Sequence, residues 1–311
     1  MKRLPLFLLI SLVISLACSS FIYSLSQGSI SVFSDNFSVI FFHLRLPRTL
    51  SAFVCGALLA LSGSLMQLLL QNPLADPYAL GISGGAALMT LIMMLFGISG
   101  SWLIGGAWLG SLITIAFILL INYQQRFQTH ALLLTGIALA CGFSACISFI
   151  LLISPQTTLH NMLFWLSGDL NGASMPTLAC WILFVGFVMC YWLAPGFNLI
   201  GRGEQEARAL GLSSEKYQFA LFLLSSLFTA AAVTLAGCIG FIGLMVPHVT
   251  RLFKHDDHRI LLPVSALLGG ALLTFADTFA RTLFAPQQIP VGILIALLGV
   301  PCFVWLLRKT S

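Results

Sequence analysis

Apolar residues form long uninterrupted runs along this chain, and short polar segments separate one run from the next. A helix needs about 20 apolar residues to cross the hydrocarbon core of a bilayer. The runs do not alternate between apolar and polar positions, which excludes a transmembrane barrel and leaves helices as the only spanning structure. Ten spans are predicted, near residues 5–25, 47–70, 79–97, 101–121, 131–153, 176–195, 219–238, 239–253, 260–284 and 290–307.

The composition supports an all-α membrane protein. Hydrophobic residues make up 59% of the chain and charged residues only 7%, against about 25% charged in an ordinary globular protein. The net charge of +5 comes from basic residues scattered singly at span ends, so it indicates membrane lipid rather than nucleic acid as the partner.

The basic residues also predict an orientation. If the N-terminus is cytoplasmic, 11 of the 14 basic residues lie in the cytoplasm, whereas Arg45, Arg48 and Arg281 lie on or near the other side. Ten spans then place both termini in the cytoplasm. The first run resembles a signal peptide, but it continues past Cys18 towards Tyr23 and is therefore predicted to remain as an uncleaved span.

The loop at about 201–218 carries the strongest charge in the chain. Six charged residues fall between Arg202 and Lys216, in a segment that can form a short helix. Such a loop presents a surface to a soluble partner. The chain lacks the phosphate-binding pattern G-x-x-x-x-G-K-[ST], so it is not expected to hydrolyse ATP, and it offers no clustered catalytic set or cofactor site. Energy for transport is expected to come from a docked partner.

The segment Gln71–Pro77 is expected to form a turn at the cytoplasmic end of the second span. Pro73 and Pro77 prevent a continuous helix, and Asp76 before a proline favours an extended or turn conformation. Two interpretations stand side by side here. The turn, which includes Asn72, is either a rigid element near the coupling surface or a simple connection between helices.

The eighth span is short, and its residues Gly240, Gly243 and Pro247 predict a broken or kinked helix. Pro247 lacks a backbone donor, so a carbonyl one turn earlier needs a partner within the protein or in a water-filled cavity. His248 is expected to cap or pair with backbone at this break, in preference to acting as a ligand or proton carrier.

Two further groups of ionisable residues are interpreted structurally. The run His255-Asp-Asp-His258 suggests metal ligands, but Asp257 at a helix start is expected to be a helix cap, and no metal site is predicted. Asp277 and Arg281 stand four residues apart in the ninth span and share a helix face. Because a charge at membrane depth is usually paired, mutual pairing is expected rather than a substrate role.

Six ordered motifs resemble the FecCD permeases, the transmembrane subunits of bacterial importers for iron-siderophores, haem and cobalamin. The resemblance covers roughly residues 40–308. The motifs are Arg45-Leu-Pro-Arg48, Gln71-Asn-Pro-Leu-Ala-Asp-Pro77, Glu206-Ala-Arg-Ala-Leu-Gly211, Gly240-Phe-Ile-Gly-Leu-Met-Val-Pro-His248, Asp257-His-Arg-Ile-Leu-Leu-Pro263 and Ile289-Pro-Val-Gly292.

The resemblance implies a type II ABC importer permease, with residues 1–311 as one transmembrane domain in the inner membrane. It implies a homodimer, or a pair with a related permease, together with two ATPase subunits on the cytoplasmic face and a periplasmic binding protein outside. The turn at Gln71–Pro77 would lie near the cytoplasmic gate. The fifth span, a short external helix near 159–168 and the tenth span would line the path. The coupling helix would carry Glu206, Ala207, Arg208, Leu210 and Gly211.

Two other functions remain open at this point. A permease for an oxyanion such as molybdate would favour more basic residues along its path than the three near the outer side. A secondary transporter independent of ATP would need a titratable residue within the spans, and Asp277 is the only real candidate.

Overall fold

The computed structural model describes residues 40–123, 129–252, 257–283 and 288–310, and the isolated positions 15, 18, 19 and 22. In these residues the chain is helical and contains no strand, which confirms the all-α class. A π-helical segment at Phe41–Arg45 leads into the first helix, and a 3-10 turn at Pro77–Leu80 precedes the second. The helices are α1 (Leu46–Leu69), α2 (Ile82–Leu95), α3 (Ser101–Tyr123), α4 (Thr129–Ile153), α5 (Gln156–Leu166), α6 (Thr177–Ile200), α7 (Glu204–Ala209), α8 (Ser214–Ala236), α9 (Ile242–Leu252), α10 (His258–Thr282) and α11 (Val291–Thr310).

Several helices have the length and apolarity of membrane spans. Among the described residues, six helical segments are long and apolar enough to cross a bilayer, namely Phe41–Leu69, Ser101–Tyr123, His130–Ile153, Thr177–Ile200, Ser214–Ala236 and His258–Thr282. The apolar segments Ile82–Leu95 and Val291–Val304 are shorter. The predicted first span lies outside the continuously described ranges, as do Lys2, Arg3, Arg126, Lys254, His255 and Asp256.

Helix α1 forms the centre of the bundle. Its most apolar window is 94% buried, and it contacts α6, α8, α9 and α10. Two glycine pairs allow the close approach: a Cβ at Gly56 would overlap the carbonyl of Gly269 on α10, and one at Gly63 would overlap Gly243 on α9. Small residues at such crossings bring helix backbones into van der Waals contact.

The chain leaves the helical conformation between α8 and α9. Gly237 and Phe241 both have positive φ, at 68° and 67°. Tyr78, from the 3-10 turn, covers this break: its hydroxyl donates to the Ile239 carbonyl and accepts from the Ile239 N–H, each at 3.0 Å. The tyrosine therefore satisfies both backbone groups that the helix has released, as a low-dielectric environment requires.

The short third and eighth spans have a common cause. The segment after α1 turns back into the bundle, so that Pro77 contacts the site where a Cβ on Gly243 would lie. Helix α2 consequently begins at Ile82, three residues later than the sequence predicts. Helix α9 likewise begins at Ile242, three residues later than the sequence predicts. The apolar pattern alone does not reveal this re-entry.

Candidate functional site

Helix α7 projects from the end of the bundle where α6 stops and α8 starts, and this end is called the α7 end below. Ala207 is fully buried, whereas Leu210 is 64% exposed, and Glu206 and Arg208 are also exposed. Of the five predicted coupling residues, Ala207 therefore faces the bundle and anchors the helix, while Glu206, Arg208 and Leu210 face outward.

The exposed surface of α7 is held rigidly. Gly211, with φ 82°, ends the helix: its N–H donates to the Arg208 carbonyl and the Leu212 N–H donates to the Ala207 carbonyl, each at 3.0 Å. This is the Schellman pattern, which needs a left-handed residue and so favours glycine. Arg208 also pairs with Glu204 at 2.6 Å along the helix.

The turn after α1 is built by side-chain caps. Asn72 Oδ1 accepts from the N–H of Leu74 at 2.9 Å. Asp76 Oδ1 accepts from the N–H of Tyr78 at 2.7 Å and so begins the 3-10 turn at Pro77. Burial raises the pKa of Asp76, and the bond from the Tyr78 backbone partly opposes that rise. Pro73 is exposed, whereas Pro77 is buried against α9.

Gln67 on α1 stabilises the proline within α9. Pro247 cannot donate to the Gly243 carbonyl, and Gln67 Nε2 lies 3.4 Å from that oxygen and 3.2 Å from the Leu244 carbonyl oxygen. Arg251 Nη1 donates to Gln67 Oε1. Helix α9 thus continues through Pro247, and the break itself lies upstream, before Ile242.

His248 does not cap this break in the structure. Its Nε2 is buried and has no hydrogen-bond partner among the residues that the structure describes. The imidazole instead lies edge-on to Phe303 of α11, with ring centroids 6.2 Å apart. The expected backbone pairing of His248 is therefore not seen, because the break lies between Gly237 and Phe241, at least seven residues upstream.

A polar cleft of about 710 Å³ opens at the α7 end. Residues from α1, the turn after it, α6, α9 and the start of α10 line this cleft, including Gln67, Asn72, Pro73, Asn198, Arg202, Arg251, Asp257 and His258. The cleft reaches Gly201 and Arg202, directly before α7. The predicted turn and the segment leading to α7 therefore share one surface.

A hydrogen-bonded junction joins α6 to α10 in this cleft. Asn198 Nδ2 donates to Asp257 Oδ1 at 2.8 Å, and Asn198 Oδ1 accepts from the His258 N–H at 2.9 Å. Asp257 Oδ1 also accepts from the Arg259 N–H at 2.9 Å, which confirms the expected cap. The amide of Asn198 and this backbone N–H lower the pKa of Asp257, which therefore remains ionised at neutral pH.

The opposite end of the bundle carries a cluster of charged residues. Asp277 is 1% exposed. Arg48 of α1 makes a bidentate contact with its carboxylate, in which Nη2 donates to Oδ1 at 2.8 Å and Nε donates to Oδ2 at 3.1 Å. Arg48 Nη1 also donates to Asn171 Oδ1 at 2.7 Å and to Gln288 Oε1 at 2.9 Å. Arg281 Nε lies 3.8 Å from Asp277 Oδ2.

The expected pairing of Asp277 with Arg281 is confirmed, and the structure adds Arg48 as a closer partner. The predicted partner Arg281 is close enough for an ion pair, but Arg48 makes the short, bidentate contact. Arg48 reaches the carboxylate from a neighbouring helix with two nitrogens, the bidentate geometry that makes Arg–carboxylate pairs strong. Local spacing could not reveal Arg48, because it lies 229 residues away in sequence.

No group of three or more His, Cys, Asp or Glu side chains in the described residues is placed to hold a metal ion. Of the four residues in the His255–His258 run, Asp257 and His258 belong to the junction with Asn198.

The sequence analysis did not identify Gln67, Tyr78 and Asn198. Each is a polar residue at or near the end of an apolar run, which is the available signal for a side chain that satisfies buried backbone.

The chain is similar to permeases of known transport systems. The hemin transport system permease protein HmuU of Yersinia pestis is 39% identical over 315 residues, covering 97% of this chain and 94% of that protein. The vitamin B12 import system permease protein BtuC of Klebsiella pneumoniae is 36% identical over 272 residues, covering 86% and 82%. A solved structure described as an inward-facing conformation of a proposed metal-chelate type ABC transporter has a TM-score of 0.89 at 30% identity, covering 97% of this chain and 99% of that one.

The family model described as the FecCD transport family matches residues 7–309. This range includes α7, the turn after α1, the junction and the Arg48–Asp277 pair. The match and the relatives both extend over nearly the whole chain, so they concern the entire helical bundle rather than one motif. The chain is therefore a multi-pass membrane transport subunit that belongs to the FecCD transport family.

Proposed function

We propose that this chain is the transmembrane permease subunit of an ATP-driven importer for an iron chelate, either a siderophore complex or haem, or for cobalamin. Transport runs from periplasm to cytoplasm by alternating access, and residues 1–311 act as one permease domain. The haem and vitamin B12 relatives support the substrate class. The observation that carries the proposal is α7, a short rigid helix with an exposed Leu210 flanked by exposed charge.

The α7 end faces the cytoplasm in this proposal and contacts a separate ATPase subunit. The outward side of α7 combines an apolar anchor with Glu206 and Arg208, which suits a groove on a soluble partner. The buried Ala207 transmits force from that contact into α6 and α8, which α7 touches. Two such ATPases, one for each copy of the permease, supply the energy, and both termini lie on their side of the inner membrane.

A second copy of the chain, or a related permease, completes the translocation path. In the chain alone, only 11% of the apolar window of α4 is buried. Its exposed residues include the small side chains Ala138, Cys141, Ala145 and Ser148, which recur at helical spacing. Such a face permits close helix packing. Helices α4, α5 and α11 line the path, and its narrow cytoplasmic side lies near the turn of Asn72, Pro73, Asp76 and Pro77.

The opposite end is the proposed docking surface of a periplasmic binding protein. Arg45, Arg48 and Arg281 line a cavity there, and Asp277 is the carboxylate that Arg48 and Arg281 contact. The cluster therefore carries excess positive charge, which favours acidic side chains on a partner. The binding protein, rather than the permease, is then the main determinant of which chelate is recognised.

The pairing of Asp277 argues against a secondary transporter. A carboxylate that carries coupling protons must be able to lose its partner and titrate. Asp277 is buried and held by the bidentate contact with Arg48, so it is suited to a structural role. Uptake that needs no ATP and is abolished by Asp277→Asn would reverse this conclusion.

The test is uptake by proteoliposomes that contain the complex purified through this chain, using labelled haemin, cyanocobalamin and a ferric hydroxamate. ATP enclosed with the ATPase should drive accumulation of at least one of them. Glu206→Lys is expected to reduce uptake about tenfold, as loss of one interfacial charge contact does, while membrane insertion is unchanged. Ser99→Lys, which introduces lysine at an exposed position of the loop between α2 and α3, should leave uptake intact. Full uptake by Glu206→Lys would refute the role of α7.

A further inference from the structure

Helix α6 leads directly into α7. It ends at Ile200, and α7 begins at Glu204 after a bend at Gly203. Asn198 lies in the last turn of α6, six residues before α7 begins. A displacement of α7 towards α6 reaches this turn through the three residues 201–203 that separate the two helices.

Asn198 links that turn to α10. Its amide donates to Asp257, the N-cap of α10, and its carbonyl oxygen accepts from the backbone N–H of His258, the first residue of α10. His258 Nδ1 lies 2.7 Å from the same oxygen, and the His258 side chain is buried. Both polar atoms of Asn198 are thus used to hold the start of α10 against the end of α6.

Helix α10 connects this junction to the far end of the molecule. It packs along α1 through the Gly56–Gly269 contact, and near its other end Asp277 is held by Arg48. Rigid helices and hydrogen-bond networks carry energetic coupling between distant sites. Helix α10 can do so only while its first turn is bonded to α6 and its last turns are bonded to α1. The junction is therefore the point at which the segment bearing α7 is fastened to a helix that reaches the opposite end.

The geometry points to Asn198 as a positioning residue that couples movement of α7 to movement of α10, through Asp257 and His258. This inference rests on the proposed function, because it assigns the path by which an ATPase at α7 rearranges the permease. Asn198 does not touch the substrate or the ATPase in this account. Without Asn198, the complex should still assemble but should hydrolyse more ATP for each molecule that it transports.

The chemistry of the junction permits a reciprocal exchange. Asn198→Asp places a second carboxylate against Asp257 where an amide now donates at 2.8 Å, so the contact becomes repulsive. Asp257→Asn keeps an oxygen that accepts from both Asn198 and the Arg259 N–H, since one oxygen accepts both bonds now. In the double variant Asn198→Asp/Asp257→Asn, the amide group introduced at position 257 can donate to the carboxylate introduced at position 198, which removes the repulsion and sacrifices only the bond from the Arg259 N–H.

The measurement is the number of ATP molecules hydrolysed per molecule transported, in proteoliposomes of the purified complex with labelled haemin, cyanocobalamin or a ferric hydroxamate. Asn198→Asp should raise this ratio about tenfold, in line with the loss of a hydrogen bond to a charged group. Asp257→Asn and the double variant should stay within about threefold of the wild type. Ser99→Asp, which introduces aspartate at an exposed position of the loop between α2 and α3, should leave the ratio unchanged.

Each outcome has one meaning. A wild-type ratio in Asn198→Asp, or a raised ratio that the double variant fails to restore, overturns the role of Asn198 but leaves the importer proposal standing. Absence of ATP-driven uptake in the wild type overturns the proposed function and this inference with it. If Asn198→Asp does not assemble, Asn198→Ala replaces it: a raised ratio supports the inference, and an unchanged one overturns it.

Discussion

Replacing Arg48 by methionine should destabilise the protein more than any other single change in the Arg48–Asp277 cluster. Methionine removes two charge-assisted contacts to Asp277 and the bonds to Asn171 and Gln288, and it leaves a carboxylate that is 1% exposed. Breaking one side of a buried ion pair costs about 3–5 kcal/mol. The lower value, about 3 kcal/mol, applies here, because Arg281 already lies 3.8 Å from Asp277 and partly compensates.

Three further variants separate the contribution of the Arg48 charge from those of its bidentate geometry and of Arg281. Arg48→Lys keeps the charge but loses the planar fork, so it should cost about 1–2 kcal/mol. Arg281→Met should cost less than Arg48→Met, because its Nε is the more distant. The double variant Arg48→Met/Asp277→Leu removes both charges and should lie within about 1 kcal/mol of the wild type, since a buried pair replaced by apolar residues is often neutral.

The assay is reversible unfolding of the purified protein in mixed detergent micelles, titrated with a denaturing detergent, which yields the free energy of unfolding of each variant. A double-mutant cycle on Arg48 and Asp277 then gives their coupling energy. Two results would refute the reasoning. One is a loss below about 1 kcal/mol in Arg48→Met, and the other is a larger loss in Arg281→Met than in Arg48→Met.

Three further predictions concern the backbone around α9, each measured by the same unfolding titration. Tyr78→Phe removes both hydrogen bonds to Ile239 and should lower the free energy of unfolding by about 2–3 kcal/mol. A change near zero would show that these two bonds do not stabilise the helix break. Gln67→Leu leaves the Gly243 carbonyl, which faces Pro247, without its donor and should lower the free energy of unfolding by about 1–3 kcal/mol. Gly63→Val forces α1 away from α9 and should prevent stable folding, unlike Gly142→Val, where a Cβ meets open space.

The sequence predicts much of the architecture, because span length and apolarity are local properties. The predicted spans at 101–121, 131–153 and 260–284 agree with α3, α4 and α10 to within a few residues. The largest boundary differences, five residues each, are at the end of α6 and the start of α8, whereas the predicted starts of α2 and α9 are each three residues early. There the chain re-enters the bundle, and the end of each helix is decided by contacts of Tyr78 and Gln67 with distant backbone.

The candidate sites also combine features set by neighbouring residues in the sequence with features that form only when the helices pack. The exposed helix at Glu204–Ala209 is local, and its charge and turn residues mark it in the sequence. The burial of Ala207 and the cap at Gly211 appear only once α6 and α8 are in place. Arg48 with Asp277, and Asn198 with Asp257, are pairs of residues far apart in the chain. Helix packing brings them together, so spacing in one sequence cannot identify them.

The most direct measurement of the central claim is extraction of the tagged chain from native membranes in mild detergent, followed by mass spectrometry of the intact complex. We expect a P-loop ATPase bound in equal stoichiometry to the permease. We also expect Glu206→Lys to retain about tenfold less of this ATPase while the same amount of permease is recovered, and Ser99→Lys to retain it fully. A chain that carries no ATPase even after crosslinking would contradict the claim and would make Asp277 and ATP-independent transport the first alternative.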